Sequence, residues 1–211
     1  MKKFHLFDLD GTLIDSMVAF PTALFRAMDE ENVAYPPDII NTVTPLGIMG
    51  TFEYFLKMGL SPAKAEYLMR KFGDYMVDDY ENRILTKPYV KEYLTKLKND
   101  GAKLFVLTAS PHITIDPCLK RNGVYDMFDV IWSCDDLGKP KSDPTIYTDV
   151  ASIMGCSVSD IVFYDDNVTA LETAVSAGLE TVGVYDAASD EYKDRIVSAV
   201  DRYINNFGEL L

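Results

Sequence analysis

Short apolar runs punctuate the chain at Phe4–Phe7, 104–107, 130–132, 161–164 and 181–185. Runs this short, rich in β-branched and aromatic residues, read as strands buried on both faces. Helical patterns fill the spaces between them. Residues 90–97 repeat at helical spacing and stop at Gly101, and 171–177 stop at Gly178; glycine is a favoured helix terminator. Strands alternating with helices predict the α/β class, with a parallel sheet covered on both faces. One stretch breaks the rhythm. Residues 15–87 contain no convincing strand, only helical patterns at 20–31, 51–58 and 63–80. The breaks are Tyr35-Pro36-Pro37, residues 45–50 and Gly59-Leu60-Ser61-Pro62. This predicts an all-helical insertion (15–87) in a sheet-bearing core (1–14 and 88–211). Helices packed only against the core are the alternative.

Composition narrows the setting. The 211 residues, 48% hydrophobic, suit one core domain with a smaller insertion. No segment approaches the ~20 apolar residues of a membrane helix. Asp8 and Asp10 interrupt any signal-peptide reading of the start. Cys118, Cys134 and Cys156 are odd in number and widely spaced, as expected of reduced thiols, and a cytoplasmic location is expected. The net charge is −13. Such a chain repels nucleic-acid phosphates and anionic membranes, so neither is an expected partner. An anionic substrate would need local relief from a metal or a placed cation. The sequence assigns no oligomeric state.

In open parallel sheets, ligands bind beyond the carboxyl ends of the strands. The first run is followed by Asp8-Leu9-Asp10-Gly11-Thr12, the second by Thr108-Ala109-Ser110, the fourth by Asp165-Asp166-Asn167. Continued extension would place Asp8 and Asp10 on one face, but a turn at Gly11 lets Asp10 swing elsewhere, so one carboxylate could attack while the other moves a proton. Asp165-Asp166-Asn167 also looks like a helix cap. If these residues meet Asp8, however, the cluster needs a cation, and a hard oxygen-seeking ion such as Mg²⁺ suits it. Ser110-Pro111 reads as an N-cap followed by the first helical position, a helix start that can offer N–H groups to phosphate. Lys139, in Gly138-Lys139-Pro140-Lys141, is either a solvated loop lysine or a cation for this cluster.

Together these residues resemble the haloacid dehalogenase superfamily. Phe7-Asp8-Leu9-Asp10-Gly11-Thr12 matches its first motif, Thr108 its second, Lys139-Pro140 with Asp143-Pro144 its third, and Asp165-Asp166 through Gly178 its fourth, in the family's order. The resemblance implies a Rossmann-like doubly wound core with a helical cap, and a phosphatase acting on a small phosphorylated metabolite. Asp8 would form an aspartyl-phosphate, with Asp10 as acid and then base. Mg²⁺ would be held by Asp8, the Asp10 carbonyl and Asp166, with Asp165 in support. Thr108, Ala109 and Lys139 would bind the phosphoryl group. Lys141 rivals Lys139, and Lys139 is preferred because proline follows it directly. His112 is either a surface residue at a helix start or faces the site.

In relatives of this kind the cap selects the substrate. Residues 44–51, the expected cap loop, carry no Lys or Arg, which points to a weakly charged substrate such as a sugar or polyol phosphate. Leu46, Ile48 and Met49 are alternatively plain cap core. A phosphomutase of the β-phosphoglucomutase type is the nearest rival. A phospho-acceptor signalling domain is more remote, because its acidic pair precedes the phosphorylated aspartate.

Overall fold

The computed structural model describes residues 3–43 and 46–211. β1 (Phe4–Phe7) is followed by α1 (Ala19–Glu30), α2 (Ile39–Val43), α3 (Gly47–Lys57) and α4 (Pro62–Asn82). Then come α5 (Val90–Asn99), β2 (Lys103–Thr108), α6 (His112–Arg121), β3 (Val130–Ser133), α7 (Cys134–Leu137) and α8 (Thr145–Met154). β4 (Ile161–Asp165), α9 (Val168–Ala177), β5 (Glu180–Val184), α10 (Lys193–Ala199) and β6 (Arg202–Ile204) complete the order. The sheet runs β3-β2-β1-β4-β5-β6 and every pairing is parallel. This is a Rossmann-like fold.

Side-chain alternation along the strands builds two layers. Leu6, Phe105, Leu107, Ile161 and Phe163 join one cluster with Tyr147 and Val150 of α8 and Leu171 of α9. The alternate residues serve the opposite face. Phe7 stacks on Tyr164 with ring centroids 4.4 Å apart, and Tyr93 of α5 and Phe207 close around Tyr164. The strand order reverses between β1 and β4. Backbone pairing carries that junction one step further, since the Asp8 N–H donates to the Tyr164 carbonyl (2.8 Å). Adjacent parallel strands whose connections leave in opposite directions open a crevice at their carboxyl ends.

The chain divides into two compact units, Met1–Met17 with Ile84–Leu211, and Val18–Arg83. Residues 15–17 and 84–87 therefore belong with the sheet rather than with the insertion expected at 15–87. The reason is local pairing. Ile14 bridges Thr86 in antiparallel fashion, Asp15 N–H donates to Leu85 O (3.0 Å), and Lys87 N–H donates to Leu13 O (2.9 Å).

In the helical unit, Ala23, Leu24, Ala27 and Met28 of α1 form one buried face, packed with Ile39 and Val43 of α2, Phe55 of α3 and Leu68 and Phe72 of α4. Ser61 caps α4 by accepting from Lys64 N–H, with Pro62 at the first turn. The break expected at 45–50 is shorter than that, because α3 starts at Gly47. Of the expected cap loop, Thr44 and Pro45 lie outside the described residues. Leu46 and Met49 are exposed and do not join the core of this unit.

Candidate active site

Four loops at the carboxyl ends of β1, β2, β4 and the segment after α7 bring polar side chains to one cleft of about 300 Å³. Its lining includes Asp8, Asp10, Thr108, Ala109, Lys141 and Asp166. A wider, more open groove along α5, beside Lys91 and Lys96, holds no comparable constellation.

Asp8 lies at the first position past β1, level with the end of β4, and is buried. Its Oδ1 accepts from Lys141 Nζ, while its Oδ2 has no hydrogen-bond partner. A buried carboxylate oxygen without a donor costs free energy unless something else meets it. Asp165, at the end of β4, is fully buried; its two oxygens accept from Lys141 Nζ (2.7 Å) and Asn167 N–H (2.7 Å). Asp166 is buried too, and Thr12 Oγ1 donates to it at 3.3 Å. One oxygen from each of Asp8, Asp165 and Asp166 lies within 4.8 Å of the others.

The charges do not balance within this cluster. Burial pushes the Asp8 carboxyl up to about 7, against the pull of Lys141 and helped by Asp165 and Asp10. Burial, then Asp165 and Asp8, holds Asp166 well above the usual carboxylate range. Burial alone would depress Lys141, but the Asp165 and Asp8 carboxylates outweigh it and keep the ammonium charged. One lysine thus faces three buried carboxylates. The all-oxygen donor set and the open Asp8 Oδ2 fit a hard divalent cation held by Asp8 and Asp166.

Gly11 makes this approach possible. Its φ is +79°, and a Cβ there would lie 2.6 Å from Asp166 Oδ2. Gly11→Ala is expected to lose about 1–3 kcal/mol of stability through backbone strain alone. The carboxylate must also move, so divalent-cation binding at the cluster should weaken. Urea denaturation in EDTA reads the first effect and a metal titration the second.

Asp10 is turned towards hydroxyls. Ser16 Oγ donates to its Oδ1 (2.7 Å); Ser110 Oγ (2.7 Å) and Thr108 Oγ1 (3.2 Å) donate to its Oδ2. Ser110 is therefore not the helix cap expected from the sequence. The helix starts at His112, Pro111 takes the capping position without a side-chain bond, and the serine hydroxyl serves Asp10 instead. Ser16 carried no signal in the sequence. In the acidic run the capping is done by Asn167 alone, which accepts from Thr169 and Ala170 N–H and leaves Asp165 and Asp166 free for the cluster.

The lysine preference is corrected. Lys139 follows the left-handed Gly138 that ends α7, and its ammonium bonds to Asp149 away from the cleft. Lys141 enters the cleft, its carbonyl within reach of the Tyr147 hydroxyl (3.2 Å). His112 is held between Asp116 (2.9 Å) and Asp136 (2.8 Å) and does not line the cleft.

The haloacid dehalogenase-like hydrolase family matches residues 5–184, a span that contains every cluster residue above. The chain belongs to that family. This haloacid dehalogenase-like hydrolase is 27% identical over 179 residues to pyrophosphatase PpaX of Bacillus velezensis, covering 85% of this chain and 81% of that protein. It is 27% identical over 210 residues to phosphoglycolate phosphatase of Pectobacterium atrosepticum, covering 97% and 89%. The solved structure of CbbY from Rhodobacter sphaeroides in complex with phosphate shares its fold at TM-score 0.76 and 21% identity, over 100% of this chain and 96% of that one. A predicted phosphoglycolate phosphatase from Haemophilus somnus does so at 0.80 and 24%, over 99% and 96%. Membership makes the chain an enzyme, and the two curated relatives above are a pyrophosphatase and a phosphatase. It also removes the signalling-domain alternative. Among the described residues no helix is long and apolar enough to cross a membrane.

Proposed function

We propose that this hydrolase is a Mg²⁺-dependent phosphatase that cleaves a small phosphomonoester through an aspartyl-phosphate on Asp8. One observation carries the reading. The buried Asp8, with one oxygen unpartnered, opens onto the same cleft as the hydroxyl-held Asp10.

Asp8 supplies the nucleophile. Its carboxylate oxygen forms a bond to phosphorus as the bond to the ester oxygen breaks. Asp10 donates a proton to the departing oxygen. It then takes a proton from water, whose oxygen attacks phosphorus, so that inorganic phosphate leaves and the Asp8 carboxylate is restored. Ser16 and Ser110 hold the Asp10 carboxyl in place between the two steps, and the Thr108 hydroxyl is released from Asp10 to the phosphate. Lys141 pulls Asp8 towards its ionised form against the effect of burial and offsets charge on the phosphoryl oxygens, with the Thr108 hydroxyl and the Ala109 backbone as further phosphate contacts. A Mg²⁺ held by Asp8 and Asp166, with the Asp10 carbonyl and Asp165 in support, would neutralise phosphoryl charge and align the group for in-line attack.

Phosphate release from p-nitrophenyl phosphate, with Mg²⁺ and then with EDTA, tests the reading. Release should need Mg²⁺, and Asp10→Asn should lower it by at least about 10²-fold, the usual worth of a positioned acid-base group. Release that persists in EDTA, or survives Asp10→Asn, overturns it. Residues 44–51 carry no Lys or Arg, so the leaving group is proposed to be weakly charged, as in a sugar or polyol phosphate. A phosphomonoester screen led by phosphoglycolate defeats that part, and a requirement for a bisphosphate activator points to a mutase.

A further inference from the structure

Lys87 lies far from Asp8 and Asp10 in sequence, yet its ammonium reaches the turn that follows β1. The side chain is 14% exposed. Its Nζ donates to Gly11 O (2.6 Å), Tyr185 O (2.6 Å) and Asp186 Oδ2 (2.9 Å). An ammonium has three N–H donors, so each has an acceptor. The anchor points are themselves fixed. Lys87 N–H donates to Leu13 O (2.9 Å), and buried Asp186 accepts from Ala188 N–H (2.9 Å) through its other oxygen. Three chain segments thus meet at one lysine: the turn after β1, the return from the helical unit, and the loop after β5.

The tethered carbonyl is not an arbitrary one. The Gly11 Cα is the close neighbour of the Asp166 carboxylate, where no side chain fits. The next residue, fully buried Thr12, donates its hydroxyl to Asp166 Oδ1. The Gly11–Thr12 peptide therefore sets both the surface that Asp166 packs on and the hydrogen bond that orients it. Fixing the carbonyl of that peptide fixes its plane.

We propose that Lys87 is a positioning residue for the metal: by tethering the Gly11 carbonyl it holds the Gly11–Thr12 peptide, and with it the Asp166 carboxylate, in the geometry that binds a divalent cation. This rests on the metal-dependent reading of the site. It also makes a prediction opposite to simple electrostatics. Removing a cation near a metal site should tighten metal binding by charge alone, whereas removing a tether should weaken it.

The test is a titration of the full chain with Mn²⁺ alone, reading free Mn²⁺ by its EPR signal, so that binding is measured without turnover. The proteins are wild type, Lys87→Met, Lys87→Gln and Asp166→Asn, the last marking which binding belongs to the site. Both Lys87 variants should bind Mn²⁺ about tenfold more weakly or worse, the usual cost of losing a group that orients a ligand. In turnover the half-saturating Mg²⁺ should rise in parallel, while the substrate KM at saturating Mg²⁺ stays unchanged. If one variant fails to fold, the other carries the same prediction. Unchanged or tighter Mn²⁺ binding, with or without a lower melting temperature, overturns the Lys87 inference and leaves the site reading standing. Wild type that binds no Mn²⁺, or binding that survives Asp166→Asn, overturns both.

Discussion

Asp8→Asn abolishes turnover by at least about 10⁴-fold and leaves the metal-free protein no less stable than the parent. The first half follows from chemistry. An amide has nearly the shape of the carboxylate but is not a nucleophile, and loss of an enzyme's nucleophile costs several orders of magnitude because no other group replaces the covalent step. The second half follows from the crowding of charge. Asp8 is buried beside Asp165 and Asp166, and both burial and its acidic neighbours work against its ionised form. Asparagine removes one member of a mutually repelling set. Phosphate release under single-turnover conditions, with thermal melts in EDTA, checks both halves. Retained turnover ends the case for Asp8 as nucleophile. A large drop in melting temperature would mean that the Asp8–Lys141 pair stabilises the fold more than the repulsion harms it.

Lys141→Met has the largest effect on stability. Lys141 is the cation bonded to both Asp8 and Asp165, and its side chain is only 12% exposed. Breaking a buried pair by removing one partner costs about 3–5 kcal/mol, because the other charge stays behind. Here two carboxylates stay behind. Turnover should fall by about 10³-fold through loss of a charge aimed at the phosphoryl group. Lys139→Met is the contrast. Its pair with Asp149 is partly solvated, so the change should cost no more than about 1 kcal/mol and leave kcat unaltered. Urea denaturation and kcat for the two variants side by side decide between the lysines. Equal effects, or a larger effect at Lys139, would reverse the assignment.

The two lysines show how a site can be legible in kind but not in detail. A sequence with Lys-Pro-Lys in one loop offers two candidates, and proline after the first favoured Lys139. The choice was made elsewhere, by Asp149 drawing Lys139 outward and Tyr147 holding the Lys141 backbone. Ser110 illustrates the same limit. Its place before Pro111 reads as a cap, but Asp10, one hundred residues earlier, claims its hydroxyl. β6 went unread because three residues, Arg202–Ile204, on a sheet edge bury too little to leave an apolar run. The short α2 went unread for a similar reason, having too few residues to show a period.

The class of fold and the chemical character of the site were both legible in the order of residues. Strands inside a parallel sheet are buried on both faces and must be continuously apolar, so β1, β2, β4 and β5 each left a run in the chain, and the edge strand β3 left one through its buried half. Carboxylates directly after two such runs, Asp8 and Asp165-Asp166, place charge at strand ends whatever the packing. Folding was needed to reveal which oxygen of Asp8 lacks a partner, which lysine faces it, which hydroxyls reach Asp10 and which ammonium tethers Gly11. Each of these is a contact between residues far apart in the chain. Strand burial is a repeating local property and leaves a pattern, whereas a single hydrogen bond across the fold depends on where two backbones happen to converge.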